Sequence, residues 1–193
     1  MARSVFVMPA TAETAFLGEV TVPLASFIQP MHRHYFSGLP ERPNYRARRY
    51  DFPGNPVMMP LVRAFLTTCA ASRSSDYRYL FTLLGSELAN NAVRHTRSGL
   101  PGGTFSLVVD RHRDGLHLVC RDSGPVRREA GCEPEPVVRP RGFDLGAESG
   151  RGLAMVDAFA TEWGSEGCGR VRRVWFYLAF DLEDSEWESV LTA

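Results

Sequence analysis

The segment 75–96 constrains this chain more than any other, because its apolar stripe carries groups that ordinarily belong in water. At about 100° per residue, Leu80, Leu84 and Leu88 project within about 80° of one another and mark the core-facing side of a helix. Glu87, Asn91 and His95 fall on that same side. A carboxylate and an amide held against hydrocarbon are costly unless something pairs with them. Either they form a satisfied internal hydrogen-bond cluster, or the helix borders a cavity into which Glu87 and Asn91, one turn apart, both point.

Composition narrows what such a cavity can do. Of 193 residues, 44% are apolar, enough for one core and an appendage. The formal charge is zero, so no overall field draws the chain to nucleic acid or to an anionic membrane. The apolar run at residues 1–9 is cut by Pro9 and then Glu13, too brief for a signal-peptide core or a membrane span, so a cytoplasmic location is expected. Cys69, Cys120, Cys132 and Cys168 form no C-x-x-C pair and read as reduced structural thiols. His32-Arg33-His34 lacks neighbouring ligands and reads as a solvated loop. Every basic side chain other than histidine is arginine, and lysine is absent. Chemistry that requires an ammonium group, such as a G-x-x-x-x-G-K-[ST] phosphate loop or a Schiff base, is therefore excluded.

Organisation along the chain follows from punctuation and period. Residues 1–46 contain five spaced prolines and are expected to form an arm, with a solvated basic stretch at 42–49. A short strand at 48–52 ends at the turn Pro53-Gly54-Asn55-Pro56, and a helix is predicted over 57–71. The second helix is capped near Ser75-Asp76 and runs to about residue 96. Segments 104–111 and 116–122, joined by His112-Arg113-Asp114-Gly115, predict a β-hairpin. Residues 123–149 have neither period and form a long connection of the kind that serves as a lid. A helix over 151–159 and strands over 161–165 and 171–180 complete a domain spanning 47–181, followed by a solvated acidic tail at 182–193. The order predicts an α+β two-layer sandwich, a mixed β-sheet covered on one face by helices.

If the helix borders a cavity, the Asn91 amide oxygen can coordinate magnesium and the Glu87 carboxylate can take a proton from a nucleophile. The segment Glu87-Leu88-Ala89-Asn90-Asn91-Ala92-Val93-Arg94-His95 resembles the N box of GHKL ATPases, the group that includes histidine kinases and gyrase-type enzymes. Its form E-x-x-x-N-A-x-x-H is most similar to the anti-sigma-factor serine/threonine kinases and their actinobacterial relatives. Two more boxes follow in the family's order. Asp122-Ser123-Gly124 closes a strand, and Glu148-Ser149-Gly150-Arg151-Gly152-Leu153 resembles the glycine box where a loop enters a helix. Free N–H groups in the first turn of such a helix attract phosphate.

The resemblance covers about residues 48–180 and implies the Bergerat, or GHKL-type, ATP-binding fold. It implies Glu87 as general base, Asn91 as ligand to Mg2+ and Asp122 as the acceptor for the adenine amino group of ATP. Gly124, Gly150, Arg151, Gly152 and Leu153 would contribute to nucleotide binding, with Arg151 either adding charge at the phosphates or lying solvated. A packing or hydrogen-bonding role is open for His95, and Trp175 and Phe176 are expected in the core. The implied activity is a protein kinase that phosphorylates an anti-anti-sigma factor and otherwise holds a sigma factor. Homodimerisation is possible, and neither direct nucleic-acid binding nor a membrane is implied. Two departures favour an alternative, a regulatory binding module with weak or lost nucleotide affinity. Pro125 follows Gly124 where the family places x-Gly, and Arg173 stands where a threonine often reaches the base. A histidine-kinase catalytic half fits poorly, for want of a long heptad helix in the arm.

Overall fold

The computed structural model describes residues 23–40, 45–126, 151–168, 171–182 and 187. Five strands, β1 (Ala47–Pro53), β2 (Thr104–Arg111), β3 (Gly115–Asp122), β4 (Glu162–Cys168) and β5 (Val171–Ala179), form one sheet in the order β1-β2-β3-β5-β4. Three α-helices, α1 (Met59–Cys69), α2 (Ser75–His95) and α3 (Arg151–Phe159), accompany it. The two-layer α+β architecture is the expected one. The sheet is antiparallel at every pairing, however, and not mixed. The excursion through α3 does return β4 in the direction of β3, but β5 is inserted between them, so the two like-directed strands never share a ladder.

Alternation along the strands explains the layering. Phe105, Leu107, Val109, Leu116, Leu118, Cys120, Val174, Phe176 and Leu178 are buried under the helices, and the residues between them are half-buried or exposed. Trp175 belongs to this second set. Only Phe176 is core, while Trp175 lies on the opposite face with its ring edge-on to His117.

α2 begins where Ser74 accepts a hydrogen bond from the Tyr77 N–H, with Asp76 in the first turn, where its charge suits the helix dipole. It ends at Thr96, which adopts extended backbone and folds its Oγ1 back onto the Ala92 carbonyl. Leu80, Leu84 and Leu88 are buried as the stripe requires, but His95 is exposed, although Ala92 and Thr96 in the same stretch are buried. Cys69 and Cys120 are buried, reduced thiols, and burial pushes the Cys120 thiol up from its ordinary range. Cys132 and the side chain of Cys168 lie outside the described residues.

The core draws on residues at both ends of the chain. Residues Pro30–Phe36 form a 3-10 helix on α1, where the Tyr35 and Phe36 rings meet Phe65 and Phe36 also meets Phe52. His32 is not in a solvated loop, since its ring packs on Tyr35 and Tyr50. Within the basic stretch Arg48 is buried, its guanidinium 4.0 Å from the Tyr45 ring centroid and 4.8 Å from that of Tyr35. In the acidic tail Trp187 is buried, stacked on Tyr79 and edge-on to Phe159. A large indole beside an apolar recess overrides the charge of its neighbours.

Candidate functional site

Glu87 and Asn91 are half-buried on α2. Burial raises the Glu87 carboxyl above its usual range, against the opposing pull of Arg94 and Arg63. The Asn91 Nδ2 is buried with no hydrogen-bond partner, so a satisfied internal cluster does not describe this side chain.

The start of α3 comes directly onto Glu87. A Cβ at Gly152 would collide with the Glu87 carboxylate and stand 3.2 Å from its Cβ. Glycine here lets the carboxylate rest against the N-terminal backbone of a nine-residue helix, where a side chain would displace it. Leu153 packs partly buried on the core. Gly150 and the side chain of Arg151 lie outside the described residues, as does the connection 127–150.

Asp122 ends β3 on the helix-facing side of the sheet and is buried. Its Oδ1 accepts the Gly124 N–H at 2.8 Å, and Gly124 has a φ of 70°, a left-handed conformation that favours glycine. The segment after α2 braces this turn. Arg97 donates from Nε at 2.9 Å and Nη2 at 2.6 Å to the Ser123 carbonyl, its N–H reaches the Gly124 carbonyl, and Ser98 Oγ accepts the Ser123 N–H. Pro125, the departure from the family pattern, is accommodated in a β-bridge to Thr96. Leu88, whose carbonyl accepts from Cys120 Sγ, and Arg97 flank Asn91 in sequence, so α2 brings Glu87 and Asn91 along the same end of β3 as Asp122.

One participant was not foreseen. Arg172 stands opposite Asp122 in the β3–β5 register, and its Nε lies 3.0 Å from Oδ2. Burial raises the Asp122 carboxyl, and Arg172 and the Gly124 N–H work against that rise. Arg173, the residue expected beside the base, is exposed and sits in register with Arg121 on the other face. Sequence reading missed Arg172 because two adjacent arginines differ only by which face the strand register assigns to each. A separate cleft lined by Arg46, Asp110, Arg111, His112 and His117 lies at the other end of β3, and none of the box residues borders it.

Among the described residues no cluster of three His, Cys, Asp or Glu side chains is placed to hold a metal ion. A Mg2+ ion carried by a nucleotide would take most of its oxygens from phosphate and water and need few from protein. For such an ion the Asn91 amide oxygen would be the coordinating atom, while its unpartnered Nδ2 is a donor that suits an acceptor such as a phosphate oxygen.

A helix face bearing an acid and an amide, the amino end of a second helix and a buried carboxylate at a strand end thus lie on one two-layer α+β domain. The family model described as histidine kinase-like ATPase domain matches residues 52–175, more than half of the chain, and the chain belongs to this family within the GHKL superfamily. ATP binding follows from that membership. No curated protein matches the chain.

Proposed function

We propose that this protein is a Mg-ATP-dependent serine/threonine kinase of the anti-sigma-factor type, which phosphorylates an anti-anti-sigma factor and in its other state sequesters a sigma factor. The observation that carries the reading is the desolvated Glu87 carboxylate beside the start of α3. A carboxylate whose pKa is raised is a better base for a serine hydroxyl. Asn91 would hold Mg2+, whose charge, when bound, stabilises the phosphates. Backbone N–H groups at Gly152 and Leu153 would receive phosphate oxygens, and Asp122 would accept from the base. The serine oxygen bonds to the γ-phosphorus as the bond to the β-bridging oxygen breaks, Glu87 takes the serine proton, and ADP leaves.

The test is transfer of labelled phosphate from ATP to candidate anti-anti-sigma proteins. Glu87→Ala is expected to lower the rate by about 100-fold or more, and transfer at the wild-type rate would remove Glu87 from its role. The Asp122–Arg172 pair favours a second reading, a partner-binding regulatory module with weak nucleotide affinity. Calorimetry with Mg-ATP separates the two, because micromolar binding lost in Asp122→Asn supports the kinase. Among the described residues no helix is long and apolar enough to cross a membrane, and with zero formal charge a cytoplasmic protein acting on protein partners, without direct contact to nucleic acid, is the corresponding proposal. Homodimerisation belongs to the same proposal.

A further inference from the structure

The base-reading carboxylate is already occupied by the chain itself. Both Asp122 oxygens accept a hydrogen bond, Oδ1 from the Gly124 N–H at 2.8 Å and Oδ2 from Arg172 Nε at 3.0 Å. The Asp122 side chain is only 1% exposed, so its remaining lone pairs do not reach solvent, while that of Arg172 is 16% exposed. The two partners differ in what can give way. The Asp122 turn is held by Arg97, Ser98 and the Thr96–Pro125 bridge, and turning the carboxylate would also break its bond to Gly124. Arg172 is a long side chain near the start of β5, next to the exposed Val171. It can leave by rotating its own stem.

We infer that Arg172 is a latch on the base site, closed over Asp122 in the nucleotide-free chain and displaced when a nucleotide base bonds to that carboxylate. The inference rests on the reading of Asp122 as the base acceptor. A charged guanidinium is a stronger donor to carboxylate than a neutral exocyclic amino group. Exchanging one for the other also leaves a buried carboxylate without its counter-charge. Part of the nucleotide's binding energy therefore goes into opening the pair. The latch holds affinity below what the same pocket would otherwise reach, and it makes any partner that draws Arg172 away an activator of nucleotide binding.

Calorimetry of the full chain with Mg-ADP, which is not consumed, tests this. Arg172→Gln removes the charge while keeping a polar side chain of similar reach. It is expected to bind Mg-ADP about tenfold more tightly than the wild type and to melt lower without nucleotide. Equal or weaker binding by a folded Arg172→Gln chain overturns the latch. Should that variant fail to fold, the wild type still decides by NMR of its arginine Nε–H groups. The Arg172 resonance is expected to be protected from solvent exchange without nucleotide and to lose that protection at saturation, and an unmoved resonance sinks the idea. If neither chain binds Mg-ADP at millimolar concentration, the nucleotide reading of the site fails and the latch goes with it. Binding by the wild type with no gain in Arg172→Gln rejects the latch alone.

Discussion

Glu87 shows how one side chain can be placed for chemistry at the expense of stability. Its half-buried carboxyl has a raised pKa, with burial as the main cause. A carboxyl whose folded-state pKa exceeds its unfolded one adds stability below the unfolded value and loses it as pH rises through the folded one. At neutral pH the ionised group is therefore a burden that an amide of the same shape does not carry. Glu87→Gln is expected to raise Tm by about 2 °C at pH 7 and to lose that advantage near about pH 4. Scanning calorimetry across this range checks it, and a variant less stable than wild type at pH 7 would show that Glu87 is held by attractive partners. Gly152 belongs to the same bargain, because any side chain there would push the carboxylate from its position.

At the scale of elements, α2 links the core to the site, and its two ends are fixed by different means. The Thr96–Ser98 turn ties its carboxyl end to the Asp122 turn through side chains and backbone together. At its amino end the buried Tyr77 hydroxyl donates to the Leu178 carbonyl of β5 at 2.7 Å, and burial raises the phenol's pKa. Tyr77→Phe removes that donor from a buried carbonyl and is expected to cost about 1–2 kcal/mol, a fall in Tm of roughly 3–6 °C. Nucleotide affinity should be unaffected, since this anchor lies at the far end of the helix from Asn91. Urea denaturation measures the first outcome and calorimetric titration the second. An unchanged midpoint would mean that packing alone sets the helix's position.

The whole molecule keeps its core closed with residues from outside the span 47–181. Ile28, Tyr35, Phe36 and Tyr45 come from before β1, and Trp187 from after β5. Burying a large apolar side chain stabilises by about 1.5–3 kcal/mol, so losing several at once exceeds what a marginally stable domain can tolerate. A chain trimmed to 47–181 is expected to melt at least about 10 °C lower than the full chain or to lose its cooperative transition. Circular dichroism on heating is the measurement. Equal melting would show that the flanking aromatics rest on the domain without supporting it.

Local signals made most of the elements legible in the sequence. The 3.6-residue period and the cap near Ser75 located α2, strand alternation and the turn at 112–115 located the central hairpin, and the onset of α3 coincided with the glycine box. The placement of Glu87 and Asn91 one turn apart on α2, of Asp122 at the end of β3 and of Gly152 at the start of α3 was legible as well, because helix spacing and chain order are properties of the sequence itself. Strand order was not, since inserting β5 between β3 and β4 depends on packing between segments far apart in the chain. Arg172 escaped for the same reason: an antiparallel register is set by the whole sheet, and it alone decides which of two neighbouring arginines faces the buried carboxylate. The Tyr35, Arg48 and Trp187 contacts likewise depend on recesses that exist only once the helices and sheet have packed.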